Sequence, residues 1–238
     1  MSTNTSTATG IAAMSVEQAR FNMIEQQIRP WNVLDADVLE LLSSLHREDF
    51  VPPAHRALAF TDMELPLLPN TEESVRTGQM MLAPRVEARL LHDLKVQPHE
   101  KVLEIGTGSG YMAALLSRRA QRVLTLEISP TLADTARANL QRAGIHNVEV
   151  RQADGSRDVS VDGPFDVIVL SGSVAQVPSA LLSQLKPGGR LAAIVGDEPM
   201  MRATFVTRTG EGRYETTEPW DVVVPRLLNF PEPSRFDF

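Results

Sequence analysis

Three glycines in five residues, Gly106, Gly108 and Gly110, follow the apolar run Val102-Leu103-Glu104-Ile105 and precede a helical segment from Tyr111 to Arg119. A plain turn needs one or two glycines. Three at a strand–helix junction, interleaved with Thr107 and Ser109, indicate backbone that must come close to a ligand at a helix N-terminus. Two acids extend the set. Glu127 ends the next strand about twenty residues after Gly106, where a carboxylate can accept from both hydroxyls of a ribose. Asp154-Gly155 follows the third strand, where a carboxylate can accept from an adenine amine. Either acid alone reads as a surface carboxylate beside a turn. Together they stand at the C-terminal ends of three successive strands, the crevice in which open α/β sheets bind their ligands.

The elements that must position these groups are read from periodicity. From Lys101 onward strands alternate with helices. Val102–Ile105, Arg122–Glu127, Val148–Ala153, Phe165–Leu170 and Arg190–Val195 read as strands, and Tyr111–Arg119, Pro130–Ala143 and Pro178–Leu185 as helices. That cadence predicts a doubly wound, mostly parallel α/β sheet with helices on both faces. Ala203–Arg208 and Arg213–Glu218 flank Thr209-Gly210-Glu211-Gly212 and read as a C-terminal antiparallel hairpin. Ahead of the sheet lies a helical N-terminal extension. Ser15-Val16-Glu17-Gln18 has capping-box spacing for a helix running to about Arg29, which Pro30 ends. Val38, Leu41, Leu42 and Leu45 make one apolar stripe, and Val86, Leu90, Leu91 and Leu94 another, on a helix beginning at Pro84. Between them, Asp49 to Asn70 is broken by four prolines and reads as a long irregular segment of the lid or binding-loop kind. The division expected is a disordered tail over 1–14, an extension with an acceptor-side loop over 15–98, and a ligand-binding core over 99–238.

Composition narrows the partners. The chain has 238 residues, 42% apolar and 22% charged, with 23 basic against 30 acidic side chains and a formal net charge of −7. That balance argues against nucleic acid as the main ligand. No apolar stretch approaches the ~20 residues that span a bilayer, and residues 1–14 lack the basic start and apolar block of a secretory signal, so a cytoplasmic protein with no membrane partner is expected. With no cysteine, disulfide and thiolate chemistry are excluded. The five histidines (His46, His55, His92, His99, His146) are scattered outside any motif, and no metal site is assigned.

Glycine falls at the first, third and fifth positions of the turn and Tyr111 at the sixth, so the dinucleotide fingerprint is not met. With Glu104 two residues before the first glycine, the turn instead resembles that of Rossmann-like S-adenosylmethionine-dependent methyltransferases. The likeness extends further. Arg47-Glu48-Asp49-Phe50-Val51-Pro52, Ala59-Phe60-Thr61-Asp62, Leu65-Pro66-Leu67, Asp154-Gly155, Pro164-Phe165-Asp166-Val167-Ile168, Val177-Pro178 and Gln184-Leu185-Lys186-Pro187-Gly188-Gly189-Arg190-Leu191 resemble the protein-L-isoaspartate O-methyltransferases from about Val16 to Leu227. The resemblance implies carboxyl methylation of isoaspartyl residues in damaged proteins, with S-adenosyl-L-methionine as cofactor and a carboxylate-bearing protein or peptide as acceptor. It implies that Glu104, Gly106, Thr107, Gly108, Ser109, Gly110, Glu127, Asp154 and Gly155 hold the cofactor. The residues before Pro84 and those near Val224-Pro225 would frame the acceptor. Where the family carries Thr-Ile-Ser, a small residue and Pro, this chain has Met80-Met81-Leu82-Ala83-Pro84, so Leu82 stands at the active-site serine. Where the family favours Val-Pro-Leu-Thr, it has Val224-Pro225-Arg226-Leu227.

A carboxylate, with a pKa of about 4, is already ionised at neutral pH and needs no general base, so alignment and exclusion of water are what catalysis requires. No catalytic residue is assigned. Loss of the serine hydroxyl at Leu82 removes one hydrogen bond, ~1–3 kcal/mol or about ten- to a hundredfold in rate. Leu82 also dries the pocket. Arg226 reads either as a bidentate partner for a carboxylate or as a solvated strand residue. The first reading is therefore an O-methyltransferase of the isoaspartyl-repair kind. The alternatives are a methyltransferase of the same scaffold with another acceptor, and a cofactor-binding protein without turnover.

Overall fold

The Ser15 hydroxyl accepts from the amide of Gln18 at 3.1 Å and caps helix α1 (Val16–Met23). In this computed structural model residues 14–157, 159 and 161–232 are described, so the tail expected over 1–14 falls, Met14 apart, outside them. The α1 helix is shorter than the run to Arg29 that its sequence suggests. From Ile24 to Ile28 the chain widens into a π-turn, then tightens into a 3₁₀ turn at Arg29–Trp31. Pro30 supplies the cause, since its ring removes an amide donor and crowds the preceding turn. Helix α2 (Ala36–Ser44) buries Val38, Leu41 and Leu42. The segment from Asp49 to Asn70 is irregular apart from a 3₁₀ turn at Pro53–Leu58 and a two-residue strand β1 (Leu65–Pro66). A helix not foreseen in the sequence follows, α3 (Thr71–Thr77), capped by the Asn70 side chain and closed by Gly78 in the left-handed region. Strand β2 (Met80–Met81) pairs with β1, and helix α4 (Pro84–Leu94) buries its predicted stripe. Burial of each of those apolar side chains stabilises the fold by about 1.5–3 kcal/mol.

The sheet then unfolds in chain order as β3 (Lys101–Ile105), α5 (Tyr111–Ser117), β4 (Arg122–Glu127), α6 (Pro130–Arg142), β5 (Val148–Gln152), β6 (Phe165–Val174), α7 (Ser179–Leu182), β7 (Leu185–Asp197), β8 (Met200–Gly210) and β9 (Arg213–Asp221). Its spatial order is β5-β4-β3-β6-β7-β8-β9. The pairs from β5 through to β7 are parallel, while β8 and β9 add on antiparallel. The strand order reverses at the β3–β6 pair, where the loops leaving the two strands part and open a crevice.

Side chains alternate across the sheet, and the central strands β3, β4 and β6 are buried on both faces, as a parallel sheet requires. Val102, Val123 and Val167 enter the apolar cluster built with the N-terminal helices, and Leu103, Leu124 and Ile168 enter the cluster on the opposite face. The N-terminal extension thus shares one core with the sheet, with Met23, Leu42, Leu65 and Leu90 in the same cluster as Tyr111 and Val224. After β9 the chain turns back over the C-terminal strand ends. Ser173 N donates to Pro225 O at 2.8 Å and Leu227 N to Ser173 O at 2.9 Å, so this return segment becomes a wall of the crevice.

Candidate active site

The strand β3 delivers the chain into the glycine turn, where Gly106, Gly108 and Gly110 have φ of +94°, +53° and +86°. Gly106 N and Thr107 N both donate to Leu126 O, which fixes the turn to β4. A Cβ on Gly106 would lie 2.9 Å from Leu227 Cδ2 and 3.3 Å from Ser171 O. The backbone here forms a surface that a side chain would fill. A cleft of about 610 Å³, open mouth included, lies against it, lined by Leu67, Gly106, Gly108, Leu126, Glu127, Leu132, Asp154, Gly155, Ser171 and Leu227 among others.

Glu127 sits at the end of β4, only 5% exposed. Its Oε2 accepts from Gly108 N and its Oε1 from Ser129 N, each at 2.9 Å. Burial pushes its pKa up against the pull of these amides. An ionised carboxylate has about four acceptor sites, so two backbone donors orient the group and leave capacity for a vicinal diol. Asp154 is held differently. Its Oδ1 accepts from the amide and hydroxyl of Ser156, and its Oδ2 from Asn229 Nδ2 at 2.9 Å. Burial opposes the charge, but these bonds and Arg157 outweigh it and keep the carboxyl below its ordinary pKa.

Of the nine residues the sequence nominates, Gly106, Gly108, Glu127, Asp154 and Gly155 meet in this cleft. Thr107 and Ser109 join Gly106 and Gly108 in an adjoining cavity of about 260 Å³, whose other wall is Met80, Met81, Leu82 and Glu87. Two of the nine line neither space. Glu104 is wholly buried beneath the cleft, accepting from Thr125 Oγ1 and Ser171 Oγ at 2.7 Å each, and burial raises its pKa to about 8. Thr125 in turn contacts Thr107 Oγ1 at 2.6 Å, so Glu104 positions the walls of both spaces. Gly110 caps α5, and a Cβ there would meet Ala136 of α6 at 3.3 Å; its absence lets the two helices close. Gly155 serves packing as well, since a Cβ would fall 2.3 Å from Ile105 Cγ2.

Sequence reasoning missed Ser171, Asn229, Leu67 and Phe230. Ser171 follows the predicted end of its strand, and Asn229 and Phe230 lie in the return segment, where no motif marks them. Arg226 is committed elsewhere. Its guanidinium pairs with Asp197, reaches Glu232 at 3.1 Å and donates to Gly196 O at 2.9 Å, so it is not a free partner for a carboxylate. Leu82 is buried, and Arg47 Nη2 donates to its carbonyl at 2.7 Å while the same guanidinium pairs with Glu87 and donates to Ala59 O.

An adenosyl ligand fits what is present: a side-chain-free backbone surface at a helix N-terminus, a fixed buried carboxylate with spare acceptor sites, and apolar walls from Leu126, Leu132 and Leu227.

Residues 18–225 match the family described as protein-L-isoaspartate(D-aspartate) O-methyltransferase. Among relatives carrying that name, a Koribacter versatilis protein is 36% identical over 208 residues, 87% of this chain and 89% of its own. A Myxococcus xanthus protein is 42% identical over 183 residues, 75% and 82% of the two chains. A solved structure of a protein-L-isoaspartate O-methyltransferase aligns with TM-score 0.72 at 24% identity, over 88% of this chain and 64% of that one. A Plasmodium falciparum structure, described as a beta-aspartate methyltransferase in complex with S-adenosyl-L-homocysteine, aligns with TM-score 0.69 at 18% identity, over 89% and 97%. The two structures share the fold.

Proposed function

Because the chain belongs to the protein-L-isoaspartate O-methyltransferase family, we propose that it is a repair enzyme of the cytoplasm that methylates isoaspartyl carboxylates in damaged polypeptides. It is an S-adenosylmethionine-dependent methyltransferase. When bound, the cofactor supplies an electrophilic methyl group on a sulfonium.

The chain's own residues do three things. Glu127, fixed by Gly108 and Ser129, would accept from the ribose hydroxyls, and the glycine turn would let backbone lie against the ligand. Asp154, whose Oδ2 also accepts from Asn229, would hold the base. The strap Met80–Leu82 and the apolar side chains facing it keep water from the acceptor side. The acceptor oxygen is anionic before it arrives, so no group in the cleft has to take a proton. Thr107, Ser109 and Ser171 line the cavity beside Leu82, with the Thr107 hydroxyl on Thr125 and the Ser171 hydroxyl on Glu104.

The observation that carries this reading is the continuity of two spaces. The cleft anchored by Glu127 and the cavity under Leu82 share Met80, Gly106, Gly108 and Ser171, so donor and acceptor sides meet over the glycine turn. The test is transfer of labelled methyl from S-adenosylmethionine to a synthetic isoaspartyl peptide, beside the same peptide with ordinary aspartate. Base-labile label on the isoaspartyl peptide alone is expected. Label on neither peptide, or on both equally, overturns the reading.

A further inference from the structure

A second opening, a groove of about 860 Å³, runs on from the cofactor cleft and shares Thr77, Gly78, Met80, Arg226 and Leu228 with it. Its apolar lining is unusually open to solvent: Val75 is 62% exposed, Leu228 48% and Val223 43%. Exposed apolar side chains gathered in one groove mark a surface built to be covered. Its charges are lopsided. Glu64, from the loop before β1, and Glu198, from the β7–β8 turn, both line it. Arg226 also lines it, but Asp197 and Glu232 take up its charge. Arg76 on α3 is the remaining cation of the lining.

We infer that this groove receives the polypeptide flanking the methylated residue, and that Glu64 and Glu198 select acceptors with a cationic side chain near the isoaspartyl carboxylate. The inference rests on the proposed function and assigns to that reaction a preference by sequence context. Continuity with the cofactor cleft places a chain lying in the groove beside the reacting carboxylate. Its apolar side chains cover Val75, Val223 and Leu228, and its lysine or arginine comes between the two acids. Burial and the proximity of Glu198 push the Glu64 pKa up to about 7, and among the described residues no cation pairs with Glu64. A cation arriving from the acceptor supplies that missing charge. An acidic neighbour instead adds a third carboxylate to the corner.

The test uses isoaspartyl peptides identical except for lysine or glutamate within three residues on either side of the isoaspartate. For the wild-type protein, kcat/KM is expected to be about fivefold higher with lysine, most of it in KM, and the gap to narrow at high salt. The double variant Glu64→Gln/Glu198→Gln should bring the lysine and glutamate peptides together. Its titration with S-adenosylhomocysteine checks that it has folded. Equal rates with the wild-type protein, a preference for glutamate, or a preference unchanged in a folded double variant would overturn the inference while leaving the proposed function standing. No methylation of any isoaspartyl peptide would remove the proposed function, and this inference with it.

Discussion

Leu82 stands where the family resemblance read from the sequence puts a serine, and its surroundings say what that change costs. The side chain is 5% exposed, and its carbonyl is fixed by Arg47, so the strap holds its path whatever side chain it carries. Restoring the hydroxyl should therefore place it beside the cavity. Leu82→Ser is expected to raise turnover of an isoaspartyl peptide about tenfold. The same change removes a buried isobutyl group and should cost about 2–4 kcal/mol of stability, read as a lower urea midpoint. Steady-state rates and a urea titration check both, and absence of a rate gain would mean the acceptor pocket has been rebuilt around leucine. At this scale the sequence was informative where chemistry constrains backbone. Gly106, Gly108, Glu127 and Asp154 reach one cleft because each stands at the C-terminal end of a strand of the same parallel sheet. The resemblance implies that Glu104 holds the cofactor; strand alternation buries its side chain beneath the cleft, onto Thr125 and Ser171. Arg226 read as open to two roles, and only the fold brings Asp197 and Glu232 to it.

Elements were legible where a local signal fixes them. The Ser15 cap, the Pro84 start of α4 and the strand–glycine–helix junction each carry their own instruction. The signal failed where tertiary contacts decide. The α3 helix is seven residues long and starts after Pro69 and Asn70, a stretch whose composition reads as loop. The Phe165–Val174 strand continues past its apolar run through Ser171 and Gly172 because the return segment pairs with it, Ser173 bridging to Arg226. The sequence predicts the C-terminal hairpin but carries no local signal that β8 pairs with β7 and extends the sheet. One element contact admits a direct test. Gly110 joins α5 to the turn at φ +86°, with Ala136 of α6 at 3.3 Å from where a Cβ would sit. Gly110→Ala should lower stability by about 1–3 kcal/mol through left-handed strain and separation of the helices, measured by urea unfolding.

The molecule as a whole stores its acidity in unusual places. Glu104, wholly buried, titrates at about 8 in the folded chain against its ordinary value of 4.5, and Glu64 is raised in the same direction to about 7. A raised carboxyl pKa means the folded state holds protons that the unfolded chain has lost. Stability from these groups is fully present below about pH 4.5 and falls as pH rises toward 8. Unfolding midpoints measured from pH 5 to 8 should decline accordingly, and Glu104→Gln should make the decline shallower, leaving the part due to Glu64, Glu87 and Glu127, whose carboxyls burial also raises. A network this deep, Thr107–Thr125–Glu104–Ser171, also explains how the glycine turn keeps one shape across three strands. The proposed reaction depends on that turn and its carboxylate serving as the donor site. Calorimetric titration with S-adenosylhomocysteine measures this most directly. One molecule should bind per chain, and Glu127→Ala, with its far-UV spectrum unchanged, should weaken binding about a hundredfold by removing the acceptor for two hydroxyls. Binding of equal strength in the wild-type protein and the folded variant, or none in the wild-type protein, would contradict it.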